Sequence, residues 1–211
     1  MNRKLSESRS ISTSLLEKLK AGEGDAASRF VQLFTPLVYS WCRKAGLNAT
    51  DSADVAQEVF RAVMNSVGGF SRSDRDRSTF MGWLWTITKS KLSDHRARRE
   101  KQPQAIGGTT AHARIEEVPE PEWDDSISSQ HQSVRVVVQQ ALKMIRPEFQ
   151  EKTWQAFWLV RMEEQDPADV AARLEMQRNA VYKASTRVLK RLRQILGESL
   201  GEDWDIDETP A

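Results

Sequence analysis

Cysteine, histidine and long apolar runs are scarce in this 211-residue chain, and each scarcity excludes a class of protein. The one cysteine, Cys42, cannot close an internal disulfide, which predicts a reducing, cytoplasmic setting. The three histidines, His95, His112 and His131, are scattered, so no metal centre and no cofactor is expected. No run of about 18 apolar residues occurs, which predicts no membrane insertion. The opening MNRKLSESRSIST is basic and polar with no apolar stretch behind it, unlike a secretory signal. A glycine-rich phosphate loop is missing too. Asp54 and Glu58 stand one helical turn apart, but no histidine or second carboxylate pair accompanies them. No catalytic residue is therefore assigned, and an enzyme is not expected.

What is present is charge, and it is segregated. The net charge of +1 hides four blocks. Residues 77–101 hold seven bases against two acids, and residues 178–193 hold six bases and no acid. Between them, residues 102–132 carry Arg114 against six acids, and the tail 197–211 has six acids and no base. A single basic run is as often a solvated helix face as a binding surface. Two such runs, each ending a helical pattern with buried-type apolar residues, favour nucleic acid.

Helical spacing dominates, and strand alternation is nearly absent. Phe30, Leu33, Phe34, Leu37, Val38, Trp41 and Ala45 make one helical face, with a kink or break expected at Pro36. A second helix is predicted from a cap at Thr50 or Asp51 through Val63, stopped by Gly68-Gly69. A polar loop over 71–78 leads into a third, 79 to about 99, with Phe80, Trp83, Leu84 and Ile87 inward. Prolines, glycines and acids over 101–131 lack the apolar content to offset ordering, which predicts a flexible linker. Helices resume at Val134–Ile145 and around Trp154–Met162, and Asp166-Pro167 signals another start. The chain is thus read as all-α: a helical domain over 14–100, an acidic linker over 101–131, a second helical domain over 132–196 and an acidic tail over 197–211.

Residues 167–196 fit a helix-turn-helix. With Ala171 as the small residue at the helix crossing, the remaining inward slots fall on Val170, Leu174, Met176, Val181 and Ala184, all apolar. Such a unit sets the start of its second helix in the major groove. Glu175 occupies the turn slot that often holds glycine, where a positive φ is unfavourable for other residues. The plainer reading is a helical hairpin with solvated arginines. In the first domain, Trp83 and Trp85 point about 200° apart on a helix, so one of them leaves the core. Trp85 beside a basic track suits stacking on single-stranded bases, and packing on a neighbouring helix suits it equally. The loop Ser71–Arg77 either holds an unstacked base or is a solvated connection. Asp51, Asp54, Gln57, Glu58 and Arg61 face outward, offering an acid-and-amide surface to a basic protein partner or simply to water.

Four stretches carry a family resemblance. DSADVAQEVFRAV (51–63) resembles D-x-x-D-x-x-Q-E-x-F, and STFMGWLWTITKSKLSDHRARR (78–99) resembles F-x-x-W-L-x-x-I-x-x-N-x-x-x-D-x-x-R, both of conserved region 2 of bacterial RNA polymerase sigma factors. IRPEFQEKTWQAFWL (145–159) and PADVAARLEMQRNAVYKASTRVLKRLR (167–193) resemble their region 4. The order of the two modules, with no segment left for further domains, resembles the small extracytoplasmic-function type. Ser90, Met81 and Tyr182 depart from residues common in the family, so no promoter sequence is inferred.

That resemblance implies a sigma factor with two partners, core RNA polymerase and promoter DNA, and allows for an anti-sigma factor as a third. It implies that Asp51, Asp54, Gln57, Glu58 and Arg61 bind core polymerase. Arg72, Arg75, Arg77, Trp85, Lys89, Lys91, Arg96 and Arg98 would hold the opened −10 strand. Arg178, Asn179, Tyr182, Lys183 and Arg187 would read the −35 duplex. The alternative is a stand-alone helix-turn-helix regulator that binds duplex DNA without polymerase.

Overall fold

Apolar residues at helical spacing become helices throughout the computed structural model, which describes residues 15–70, 80–101 and 127–196. In chain order the elements are α1 (Leu15–Lys20), α2 (Ala26–Lys44), α3 (Ala49–Ser66), α4 (Phe80–Lys101), α5 (Ile127–Ile145), α6 (Glu151–Arg161), α7 (Pro167–Arg173) and α8 (Arg178–Leu196). Short 3-10 turns follow α3 at Val67–Gly69 and α5 at Arg146–Glu148. Among the described residues there is no strand, as the all-α reading expects. None of the described helices is long and apolar enough to cross a membrane.

Contacts divide the chain into two compact units, one within 27–137 and one drawn from 1–26 and 138–211. In the first, α2, α3 and α4 bury a cluster of aromatic rings. Phe30 lies 4.7 Å from Phe34, 6.2 Å from Phe60 and 5.7 Å from Phe80, centroid to centroid, the last two edge to face. Phe70 and Trp83 extend the cluster at 4.9 Å. Aromatic pairs in such offset or tilted geometries add to the burial of large apolar area. Cys42 is fully buried beside this core, and burial pushes its thiol up to about 11, so it is a neutral packing group.

In the second unit, α6, α7 and α8 meet around Ala156, Leu159, Val170, Ala171, Val181 and Ala184. The small residues let the helix axes approach, as the crossing at Ala171 requires. Beyond that crossing α8 buries Val188, Leu189, Leu192, Ile195 and Leu196. α1, with Leu15, Leu16 and Leu19 buried, packs on α8 and belongs to this unit. The sequence groups residues 14–100 together, because three closely spaced leucines declare a buried face but not the helix that buries it.

Three further expectations change. Of the kink or break expected at Pro36, the break does not occur: α2 continues through it, with buried residues on either side supplying the stripe. The cap of α3 is Asn48, not Thr50 or Asp51: its side-chain oxygen accepts the Asp51 amide at 2.9 Å, which puts Asp51 in the first turn. The stretch 101–131, expected as a linker, is helical at both ends, since α4 runs to Lys101 and α5 starts at Ile127, and 102–126 lie outside the described residues.

Candidate protein and nucleic-acid interfaces

The helix-turn-helix is built as its sequence slots require. Asp166 caps α7 by accepting the Ala168 amide at 2.6 Å, with Pro167 at the first helical position. α7 ends in a Schellman turn: the Met176 amide donates to Ala171 O at 2.9 Å and the Glu175 amide to Ala172 O at 3.4 Å. That closure needs a left-handed residue, and Glu175 takes it at φ 53°. The glycine substitute thus keeps the turn, with strain that Leu174 and Met176 offset by packing on the cluster below. The turn delivers α8 with Arg178, Asn179, Tyr182, Lys183 and Arg187 all exposed on one side of its first half. Val181 and Ala184 point the other way, into the core. The Arg178 guanidinium lies over the Tyr182 ring at 5.8 Å, which holds both side chains at the exposed start of the helix.

Farther along α8, Arg191 serves the fold. Its Nε and one Nη donate to Glu148 at 2.5 and 2.7 Å, tying the turn after α5 to α8, and this raises the guanidinium pKa further. Lys190 and Arg193, which the site assignment passed over, are exposed on the same helix. They recur at i+7 and i+10 from Lys183, and that spacing was the signal available in the sequence.

α3 divides the five residues of the acid-and-amide surface. Asp54, Gln57 and Arg61 are exposed. Asp51 and Glu58, two turns apart on a different meridian, are half-buried and turned toward α4, which corrects the reading of all five as outward. Glu58 accepts a bidentate pair from Arg98, 2.8 Å at each oxygen. The Arg98 hydrogen bonds, then its charge, hold the Glu58 carboxyl below the usual range and raise the Arg98 guanidinium. Asp51 accepts from Arg99 at 3.1 Å and from the Asn48 side-chain amide at 3.0 Å.

On α4, Trp85 packs edge-on against Trp41 of α2 at 5.3 Å and is half-buried. The packing alternative is therefore realised for at least one side of the ring. Lys91 pairs with Asp94 at 3.0 Å, and Arg96 donates to Ala45 O at 3.3 Å. Lys89 is exposed, one turn beyond Trp85. Arg72, Arg75 and Arg77 lie outside the described residues.

This arrangement of α2–α4 is the part of the chain that a family model recognises, since the sigma-70 region 2 model matches residues 30–102. Over residues 30–102 the chain is similar to a sigma-70 region 2. The ECF RNA polymerase sigma factor BldN of Streptomyces coelicolor is 27% identical over 139 residues, 65% of this chain and 49% of that protein. The chain therefore spans about half the length of the curated relative it matches. Both are likenesses to sigma factors, and the relative is named as one of the extracytoplasmic-function type. The matched stretch contains the aromatic core, the paired acids Asp51 and Glu58 and the arginines that meet them. The pairing was missed by sequence reasoning, because Glu58 and Arg98 are 40 positions apart and no local pattern links them.

Proposed function

We propose that this chain is a transcription initiation factor that docks on core RNA polymerase, directs it to promoters and helps open the −10 region. It has no active site of its own and acts in the cytoplasm, where the polymerase supplies the chemistry. The observation that carries the reading is the coexistence of region 2 with a helix-turn-helix whose second helix opens with an exposed cationic and amide face. In this reading the first half of α8 reads −35 duplex DNA through Arg178, Asn179, Tyr182, Lys183 and Arg187. Asp54, Gln57 and Arg61 on the open side of α3 make the polymerase contact, with Asp51 and Glu58 on its flank. Trp85, Lys89, Lys91, Arg96 and Arg98 of α4, with Arg72, Arg75 and Arg77, serve the opened strand. Each contact is modest alone, and joining them in one chain makes the later ones intramolecular. A stand-alone duplex-binding regulator has no use for region 2, which disfavours that alternative.

The test is run-off transcription with purified core polymerase and this protein. Accurate start sites are expected only when both are present. Asp54→Lys should lower co-purification with core polymerase at least tenfold while the far-ultraviolet circular dichroism is unchanged. Undiminished co-purification would remove α3 as the docking face.

A further inference from the structure

The acids proposed to meet polymerase and the arginines proposed to meet the opened strand are, in this structure, each other's partners. We propose that the α3–α4 ion pairs form a charge latch: in the free chain Glu58 and Asp51 withhold Arg98 and Arg99 from nucleic acid, and a partner that takes the acids releases the arginines. This rests on the docking and strand-binding roles proposed above and adds a linkage between them.

The latch is visible atom by atom. Both terminal nitrogens of Arg98 donate to Glu58, and its Nε donates to Asp94 O at 3.2 Å, so a phosphate must displace Glu58 to take the paired N–H edge that the carboxylate now holds. At the second pair, Asp51 takes Arg99, while the buried Nε2 of His95, which has no hydrogen-bond partner, stands 3.6 Å from the same carboxylate. Yet the latch lies at the surface. The side chains of Arg98 and Arg99 are 55% and 56% exposed, against 28% for Glu58 and 22% for Asp51. Pairs this exposed shift an equilibrium only by a factor of about one to five. They are too weak to hold the fold and strong enough to reduce the population of unpaired arginine, which lowers apparent affinity by the same factor. Docking on α3 and strand capture by α4 then assist each other, because each competes for one half of the same pairs.

The test uses the free full-length protein and a fluorescein-labelled, mixed-sequence single-stranded oligonucleotide, with anisotropy read over a salt series. Glu58→Gln is expected to tighten binding about threefold and to steepen the log–log salt dependence by about 0.7, one phosphate contact on a single strand. Glu100→Gln removes the same charge from α4 itself without unpairing Arg98, and should give less than half that gain and no change of slope. Adding Arg98→Gln to Glu58→Gln should abolish the gain. The latch is overturned if the two glutamine variants gain equally, if the gain survives loss of Arg98, or if neither wild type nor Glu58→Gln binds the oligonucleotide at low salt. The docking proposal fails separately: a Glu58→Gln gain together with intact co-purification of Asp54→Lys keeps the latch and removes the polymerase role of α3. No gain, with co-purification lost, does the reverse.

Discussion

Helices α4 and α8 each carry six cations, yet they dispose of them in opposite ways. On α4, Lys91, Arg96, Arg98 and Arg99 are occupied by Asp94, the Ala45 carbonyl, Glu58 and Asp51. On α8, Arg191 alone forms an ion pair with a carboxylate among the described residues, and in the first half Arg178 lies over the Tyr182 ring. Equal numbers of cations thus give unequal readiness. A surface built to attract a duplex on encounter keeps its cations open, because steering depends on unneutralised field. A surface whose cations are already paired contributes little steering and becomes available only when its acids find other partners.

The largest effect that follows is on α8. Replacing Arg178 and Lys183 together with alanine should weaken binding of promoter duplex at least tenfold and flatten its salt dependence by about 0.9 for each cation that meets a phosphate. The matched change on α4, Arg98→Ala with Arg99→Ala, should alter single-strand binding by the free chain less than twofold. Equal losses on the two helices would dissolve the distinction, and filter binding or anisotropy over a salt series measures both.

Much of this was legible before the structure, and the parts that were not share a cause. Helix existence came through the spacing of Phe30, Leu33, Phe34, Leu37 and Val38, because one buried stripe requires that period. The inward slots of 167–196 came through as well: Val170, Ala171, Val181 and Ala184 fill one core cluster, with Leu174 and Met176 packed against it. The cap of α3 was misplaced because Asn48, Thr50 and Asp51 are all competent, and only the backbone shows which side chain receives an amide. Asp54 is exposed as read, but the turn of Asp51 and Glu58 toward α4 was not legible, since an ion pair spanning 40 positions is set by how α3 and α4 pack. Glu175 shows the reverse. A residue that its type disfavours keeps the expected backbone, because the Schellman closure and the apolar contacts beneath it outweigh a left-handed φ.

A smaller effect separates the two bidentate pairs by stability. Arg191–Glu148 ties a turn to a helix, and its arginine side chain is 27% exposed, against 55% for Arg98 in the Glu58 pair. Glu148→Gln should therefore cost about 1 kcal/mol, at the upper end for a surface pair. Faster hydrogen exchange should be confined to the turn at 146–148 and the facing turn of α8. Loss of protection no greater than that caused in α3 by Glu58→Gln would show that the two pairs do the same work.

The smallest effect is on pH, and it isolates charge from packing. Because Arg98 holds the folded-state carboxyl of Glu58 below its usual value, the ion pair stabilises the fold fully above the ordinary glutamate range, about pH 4.3, and that contribution is lost as pH falls through the lowered value. Glu58→Gln has no such titration. The wild type should therefore melt about 1 °C above the variant at pH 7, with the gap closing as the buffer is taken from pH 4.5 toward pH 3. A gap that stays constant to pH 3 would mean that Glu58 acts through its shape and hydrogen bonds. In that case removing its charge would release no arginine, and charge would not be what separates the paired cations of α4 from the open ones of α8.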